Sequence, residues 1–154
     1  MKKFKSFLLM VTMISGLVFS DQGKVIAAEM GECVDGSYLI EEEYSEGEAV
    51  NITRGMYLKS GTSSIAKEGT GKIIAGGRTV GQMVVSTISV TVRVEKLVNG
   101  SWVSYTSWSA TKNNAALVST SKTLSVPIGY YYRVYSIHKA NSNISDSFTD
   151  GIHV

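Results

Sequence analysis

The sequence predicts an all-β fold, organised as a single antiparallel β-sandwich of about seven strands. Apolar and polar residues alternate with a period of two in the clearest segments, and turn residues separate the segments at intervals of roughly ten residues. No segment after residue 28 carries an apolar stripe with the helical period. Together these patterns favour strands that bury one face and expose the other.

A hairpin over residues 86–109 is the best-defined element. Ser86–Val98 would place four branched residues on its inward face, Ile88, Val90, Val92 and Val94. The pair Asn99-Gly100 follows directly and tolerates the positive φ angles of a type I′ turn. Ser101–Ser109 is therefore predicted to be the return strand.

Further strands are predicted on both sides of this hairpin. Those that follow it are Leu117–Val126, Tyr130–His138 and a short strand within Phe148–Val154. Those that precede it are short and interrupted by glycines, at Met56–Leu58, Ile65–Lys67 and Lys72–Ala75.

The first 28 residues are predicted to be a cleavable signal peptide. Three lysines in the first five residues precede the uncharged apolar run Phe7–Val18, and small residues allow cleavage after Ala27 or Ala28. The apolar run has about a dozen residues, whereas a spanning helix needs about 20. We therefore expect a secreted, extracellular protein with no membrane attachment after cleavage.

Charge divides the remaining chain. Residues 29–50 form an acidic arm with eight carboxylates and no lysine or arginine, a composition that predicts disorder. Residues 51–154 form the predicted sandwich domain and carry eleven Lys/Arg against four acids. The basic residues are spread through the domain rather than clustered, which is typical of a solvated surface.

Residues able to perform catalysis or to hold a metal are sparse. The chain has two histidines and one cysteine, with no CxxC, HExxH or Gly-x-Ser-x-Gly motif. We expect no enzymatic activity, no cofactor and no metal, and we expect His138 to bond a neighbouring loop from a strand end. Export and the lack of a recognition helix also argue against nucleic acid. Cys33 has no partner for an internal disulfide, so a bridge between two chains stays open.

Two tryptophans are the candidate ligand platform. Trp102 and Trp108 are six residues apart on one predicted strand and would share a face. If Val103 and Tyr105 belong to the core, both indoles are exposed and form a platform for a sugar ring or a partner protein. With the opposite orientation, both indoles are core anchors.

Two resemblances agree with the all-β prediction. Tyr130–His138, entered through Pro127 and Gly129, resembles the penultimate strand of fibronectin type III domains, which implies an immunoglobulin-like sandwich with Tyr130, Tyr132, Val134 and Ser136 facing inward. Residues 55–154 resemble a family of small secreted Gram-positive proteins classified only as a domain of unknown function. The segments that carry this second resemblance are Thr87–Val92, Leu97–Trp102, Gly129–Val134, His138 and Thr149–Ile152.

These observations predict a secreted, non-catalytic binding or interaction module. Its partner would be a cell-wall polymer, a surface glycan or polyanion, or a protein surface. The alternative is a secreted effector, such as a bacteriocin-like peptide or a toxin. Self-assembly through exposed sheet edges is a third possibility, because the Ser/Thr-rich strands carry few charges.

Overall fold

A computed structural model describes residues 28–49 and 55–154. Nearly all of the predicted signal peptide lies outside these residues. No helix in the described ranges is long and apolar enough to cross a membrane. The nine strands are β1 (Cys33–Val34), β2 (Ser37–Ile40), β3 (Tyr44–Glu48), β4 (Leu58–Gly69), β5 (Lys72–Val98), β6 (Ser101–Ser125), β7 (Tyr131–Ala140), β8 (Asn143–Phe148) and β9 (Gly151–His153).

All nine strands belong to one sheet. Its main path runs β1-β2-β9-β7-β5-β4-β3, while β6 pairs with β5 and β8 pairs with β7. Most pairs are antiparallel, but β2 runs parallel to β9, with Leu39 opposite Gly151 and Ile40 opposite Ile152. The sheet is therefore mixed.

The long β5–β6 ribbon divides the sheet into two halves. β5 pairs with β6 along one edge. Along its other edge, β5 pairs first with β4, from Lys72 to Gly81, and then with β7, from Ile88 to Lys96. We call β3, β4 and the β5–β6 segments 72–81 and 117–125 the first half. The remaining parts of β5 and β6, with β7–β9, β1 and β2, are the second half.

The ribbon curls so that the inner faces of the two halves meet. A Cβ placed on Gly77, in the first half, would lie 2.9 Å from Val90 and Val92 in the second half. A Cβ on Gly61 of β4 would overlap the His138 ring of β7. Both positions require glycine because the opposing half of the sheet occupies the space of a side chain. The result is a half-barrel.

The core fills the space between the halves. It includes Ile65, Ile73 and Val118 from the first half, and Val90, Val92, Val94, Tyr132, Val134 and Ile152 from the second, all at most 1% exposed. Alternate residues of each strand supply these side chains, as the period-two pattern predicts. A small separate group that includes Leu39 lies on the outer face of the second half, where Leu39 shares a pairing row with Gly151.

The all-β prediction is confirmed, but a sandwich of antiparallel strands is not: the strands form one curled mixed sheet. The predicted short upstream strands are also wrong in extent. Glycines 61, 76 and 77 lie inside β4 and β5 and do not end the strands. Gly61 and Gly77 leave space for the opposing half, whereas Gly76 lies against Thr120 and Ser64 of its own half.

The acidic arm is not disordered over its described part. Residues 33–48 contain β1, β2 and β3, which join the sheet at both ends of its main path. Ser37 Oγ donates to Thr149 O at 2.7 Å, and Tyr38 N–H donates to the Asp150 carboxylate at 2.9 Å. Long-range hydrogen bonds to the rest of the sheet order a segment that its composition predicts to be disordered.

The predicted hairpin is confirmed. Val98 pairs with Ser101 across Asn99 and Gly100, whose φ angles are 50° and 75°. Both values suit a type I′ turn. The return strand continues to Ser125, well beyond the predicted end at Ser109.

Candidate functional site

A β-bulge in β6 separates the two tryptophans. Val94 pairs with Thr106 and Glu95 with Ser104, so Tyr105 is an extra residue in β6. An extra residue reverses the faces of all side chains beyond it. Trp102 accordingly pairs with Leu97 and Trp108 with Val92, and these two β5 residues lie on opposite faces. The prediction that both indoles share a face is wrong.

Trp102 lies on the outer face of the second half, beneath the N-terminal strands. Its Nε1–H donates to Val34 O at 2.9 Å, and the Arg133 guanidinium lies 4.7 Å from its ring centroid. Arg133 is bound to Glu95, with Nε 2.7 Å from the carboxylate, and donates to Asp35 O at 3.0 Å. Trp102 and Arg133 thus hold β1 and β2 against the sheet.

Trp108 faces inward and packs against the core. Its Nε1–H donates to Thr120 Oγ1 at 3.1 Å, and Lys122 Nζ lies 5.1 Å from its ring centroid. It bridges the two segments of β6 where the half-barrel is open. Val103 and Tyr105 are 49% and 41% exposed, so the orientation that would open a paired indole platform is not the one observed.

His138 is fully buried in a directed chain of hydroxyl groups. Thr79 Oγ1 donates to Ser89 O at 3.0 Å, so it accepts from His138 Nδ1–H at 2.8 Å. His138 Nε2 then accepts from Ser147 Oγ at 2.8 Å, and Ser147 contacts Ser63 at 2.7 Å. Burial lowers the pKa of His138 from 6.5 to about 4, against an opposing effect of Asp146.

This Ser–His pair does not form a usable triad. The second ring nitrogen is bonded to a threonine hydroxyl rather than to a carboxylate, and both Ser147 and His138 are 0% exposed. A substrate carbonyl has no route to the serine. The network instead satisfies polar groups inside the half-barrel. The histidine bonds residues of β5 and β8, not the neighbouring loop expected from the sequence.

The outer face of the first half is the best candidate for ligand binding. Inward-facing Ser63, Ile65, Ala75 and Thr79 are buried, so the residues between them face outward. Register aligns these residues in rows across four strands, since directly paired residues share a face. The rows are Tyr44-Ala66-Ile74-Thr123, Glu46-Ser64-Gly76-Ser121 and Glu48-Thr62-Arg78-Ser119. Each row spans about 14 Å at the usual strand spacing.

A groove of about 420 Å³ follows the second and third rows. Gly76 forms its floor: a Cβ there would lie 3.0 Å from Thr120 O and 3.3 Å from Ser64 Oγ. The walls include the hydroxyl groups of Thr62, Ser64 and Ser121. Glycine therefore creates the depression, and short hydroxyl side chains surround it.

Charged groups stand at two sides of this groove. Arg78 and Glu46 both line it, and neither lies within 4.0 Å of an opposite charge among the described residues. Tyr44, 52% exposed, donates its hydroxyl hydrogen bond to Glu46, and this bond is the main cause of its raised pKa. The groove thus contains the guanidinium donors of Arg78, the carboxylate acceptor of Glu46 and several hydroxyl groups.

The sequence did not single out these residues. Glu46 falls in the predicted disordered arm, and Arg78 is one of many scattered cations. Only the register of β3 with β4, and of β4 with β5, brings them to one face. Of the remaining candidates, Cys33 is exposed on β1, and no cluster of three or more potential metal ligands occurs in the described part of the chain.

The fold and the groove define a small all-β half-barrel protein with an open polar face. Residues 27–151 match the model of a family of unknown function, DUF6147, and the chain belongs to this family. This confirms the resemblance to a domain of unknown function. No curated protein matches the chain.

Proposed function

We propose that the protein is a secreted, non-catalytic module that binds a glycan, such as a cell-wall or surface polysaccharide, outside a Gram-positive cell. The groove on the outer face of the first half is the observation that carries the proposal. Export is supported by the signal-like residues 1–28 and by the resemblance to small secreted Gram-positive proteins.

The chemistry of the groove favours a ligand with many hydroxyl groups. A sugar hydroxyl both donates and accepts, so it is matched by Ser64, Thr62 and Ser121, which do the same. Arg78 supplies several fixed donors to adjacent sugar hydroxyl oxygens, and Glu46 accepts from a pair of hydroxyls. Tyr44 and Ile74 in the neighbouring row present apolar surface to the less polar side of a sugar ring.

Charge favours a neutral glycan over a polyanion. Glu46 and Glu48 occupy the same two rows as the single cation Arg78. A polyanion would meet two carboxylates for one guanidinium, which opposes its binding. Affinity for a neutral glycan should therefore depend little on salt, whereas polyanion affinity would fall as salt increases.

A glycan array followed by calorimetry tests the proposal. We expect neutral oligosaccharides to bind the purified protein, and Arg78→Ala or Glu46→Gln to weaken binding about tenfold through loss of a charged hydrogen bond. Lys139→Ala is the matched control, because Lys139 is exposed on β7 and does not line the groove. The proposal would be overturned if no neutral glycan on the array bound the protein. It would also be overturned if Arg78→Ala and Glu46→Gln bound the glycan as tightly as the control Lys139→Ala.

A further inference from the structure

A second recess lies where β2, β7 and β9 of the second half meet Lys67 of β4. Tyr131 pairs with His153, and their neighbours Tyr132 and Ile152 are fully buried, so Tyr131 and His153 face outward. Ile40 pairs in parallel with Ile152, which brings the next residue, Glu41, beside His153. The recess has a volume of about 500 Å³ and is lined by Met30, Glu41, Lys67, Tyr131 and His153.

Hydrogen bonds fix the position of Lys67 beside the segment that contains Glu41. Lys67 N–H donates to Glu43 O at 2.7 Å, which ties the segment between β2 and β3 to β4. Lys67 Nζ lies 3.5 Å from His153 O, at the rim of the recess. Lys67 on β4 and Glu41, directly after β2, thus line the same recess.

These opposite charges do not neutralise each other. Lys67 and Glu41 are not within 4.0 Å, and neither meets another opposite charge at that distance in the described ranges. Two unpaired opposite charges that line one recess are complementary to a ligand that carries both charges itself. A purely anionic or cationic ligand would match one group and be repelled by the other.

The rest of the lining is aromatic and apolar. The Tyr131 and His153 rings pack edge to face, with centroids 5.0 Å apart and an interplanar angle of 67°. Met30 is 56% exposed and contributes a flexible thioether chain. This surface suits a short apolar side chain rather than a second polar group.

We infer that this recess binds a small zwitterion, an α-amino acid with an apolar side chain. Its ammonium group contacts Glu41, its carboxylate contacts Lys67, and its side chain packs on Tyr131 and Met30. The site is separate from the glycan groove, since the two share no lining residue. It therefore stands or falls independently of the proposed function.

Chemical-shift titration of the ¹⁵N-labelled protein tests this inference with three probes: L-leucine, N-acetyl-L-leucine and L-leucinamide. Leucine should shift the amide signals of residues 41, 67, 131 and 153. Each blocked derivative lacks one charge and should bind about two- to fivefold more weakly, as expected for a partly exposed ion pair. This comparison needs no variant and so does not depend on the folding of one.

Two variants assign the charges. Glu41→Gln should make leucine and N-acetyl-leucine bind equally, because the ammonium group has then lost its partner. Lys67→Met should make leucine and leucinamide bind equally, because the leucine carboxylate has then lost its partner. Glu42→Gln and Lys72→Met are the controls, since both residues are exposed and line neither recess. Absence of leucine binding at millimolar concentration, or equal binding of all three probes to the unmodified protein, would overturn the inference.

Discussion

Replacing His138 by glutamine should remove a defined part of the acid sensitivity of folding. The imidazole is neutral and fully buried, with both nitrogens bonded to hydroxyl groups. Burial lowers its pKa from 6.5 to about 4. Between these two pH values the unfolded chain binds a proton that the folded chain does not, so the free energy of unfolding falls as the pH falls.

The size of this effect follows from the two pKa values. A difference of one pKa unit corresponds to 1.36 kcal/mol, so lowering the pKa from 6.5 to about 4 corresponds to about 3 kcal/mol. This stability is fully present above pH 6.5 and is lost progressively toward pH 4. A loss of this size is a large fraction of the stability of an ordinary domain, which is about 5–15 kcal/mol.

Urea denaturation at a series of pH values between 7 and 4 measures it. Other titrating groups also contribute, so the informative quantity is the difference between the unmodified protein and His138→Gln, which should reach about 3 kcal/mol. His153→Gln is a matched control, because His153 is exposed and is the only other histidine. Equal acid losses in the His138 variant and the unmodified protein would refute the assignment of a buried, neutral imidazole.

Two further predictions concern packing, both measured by the free energy of unfolding. Arg133→Met should cost about 3 kcal/mol, because it leaves the buried Glu95 carboxylate with only the more exposed Arg93, 3.6 Å away, whereas the double replacement Arg133→Met/Glu95→Met should cost much less. An equal cost for the single and double variants would contradict this. Gly61→Ala should cost about 1–3 kcal/mol because its methyl group overlaps the His138 ring. Adding His138→Ala should relieve that overlap, so strictly additive costs would show that the two residues do not meet.

Local sequence patterns predicted some elements well and others poorly. The alternation of Ile88 to Val94 and the Asn99-Gly100 turn depend on neighbouring residues alone, and both agree with the structure. The curl of the sheet depends instead on contacts such as that between Gly61 and His138, which are 77 positions apart in the chain. No local pattern distinguishes a glycine that ends a strand from a glycine inside a strand that leaves space for the side chains of an opposing strand.

The residues of the candidate site could not be predicted from the sequence for related reasons. The bulge at Tyr105 reverses the faces of β6, but no glycine or proline marks it, so the sequence pattern places Trp102 and Trp108 on the same face. Composition assigned Glu46 to a disordered arm, whereas β3 is ordered by pairing with β4. The groove exists only through long-range register, which single-sequence patterns do not encode.

Direct mapping of the glycan contact surface is the most decisive test of a binding module. A neutral oligosaccharide selected on the array is titrated into the ¹⁵N-labelled protein, and amide shifts are recorded for the described residues. We predict that the shifts concentrate on the outer face of the first half, at Glu46, Thr62, Ser64, Gly76, Arg78 and Ser121. Shifts confined to other surfaces, or no shifts with any neutral glycan, would contradict the account.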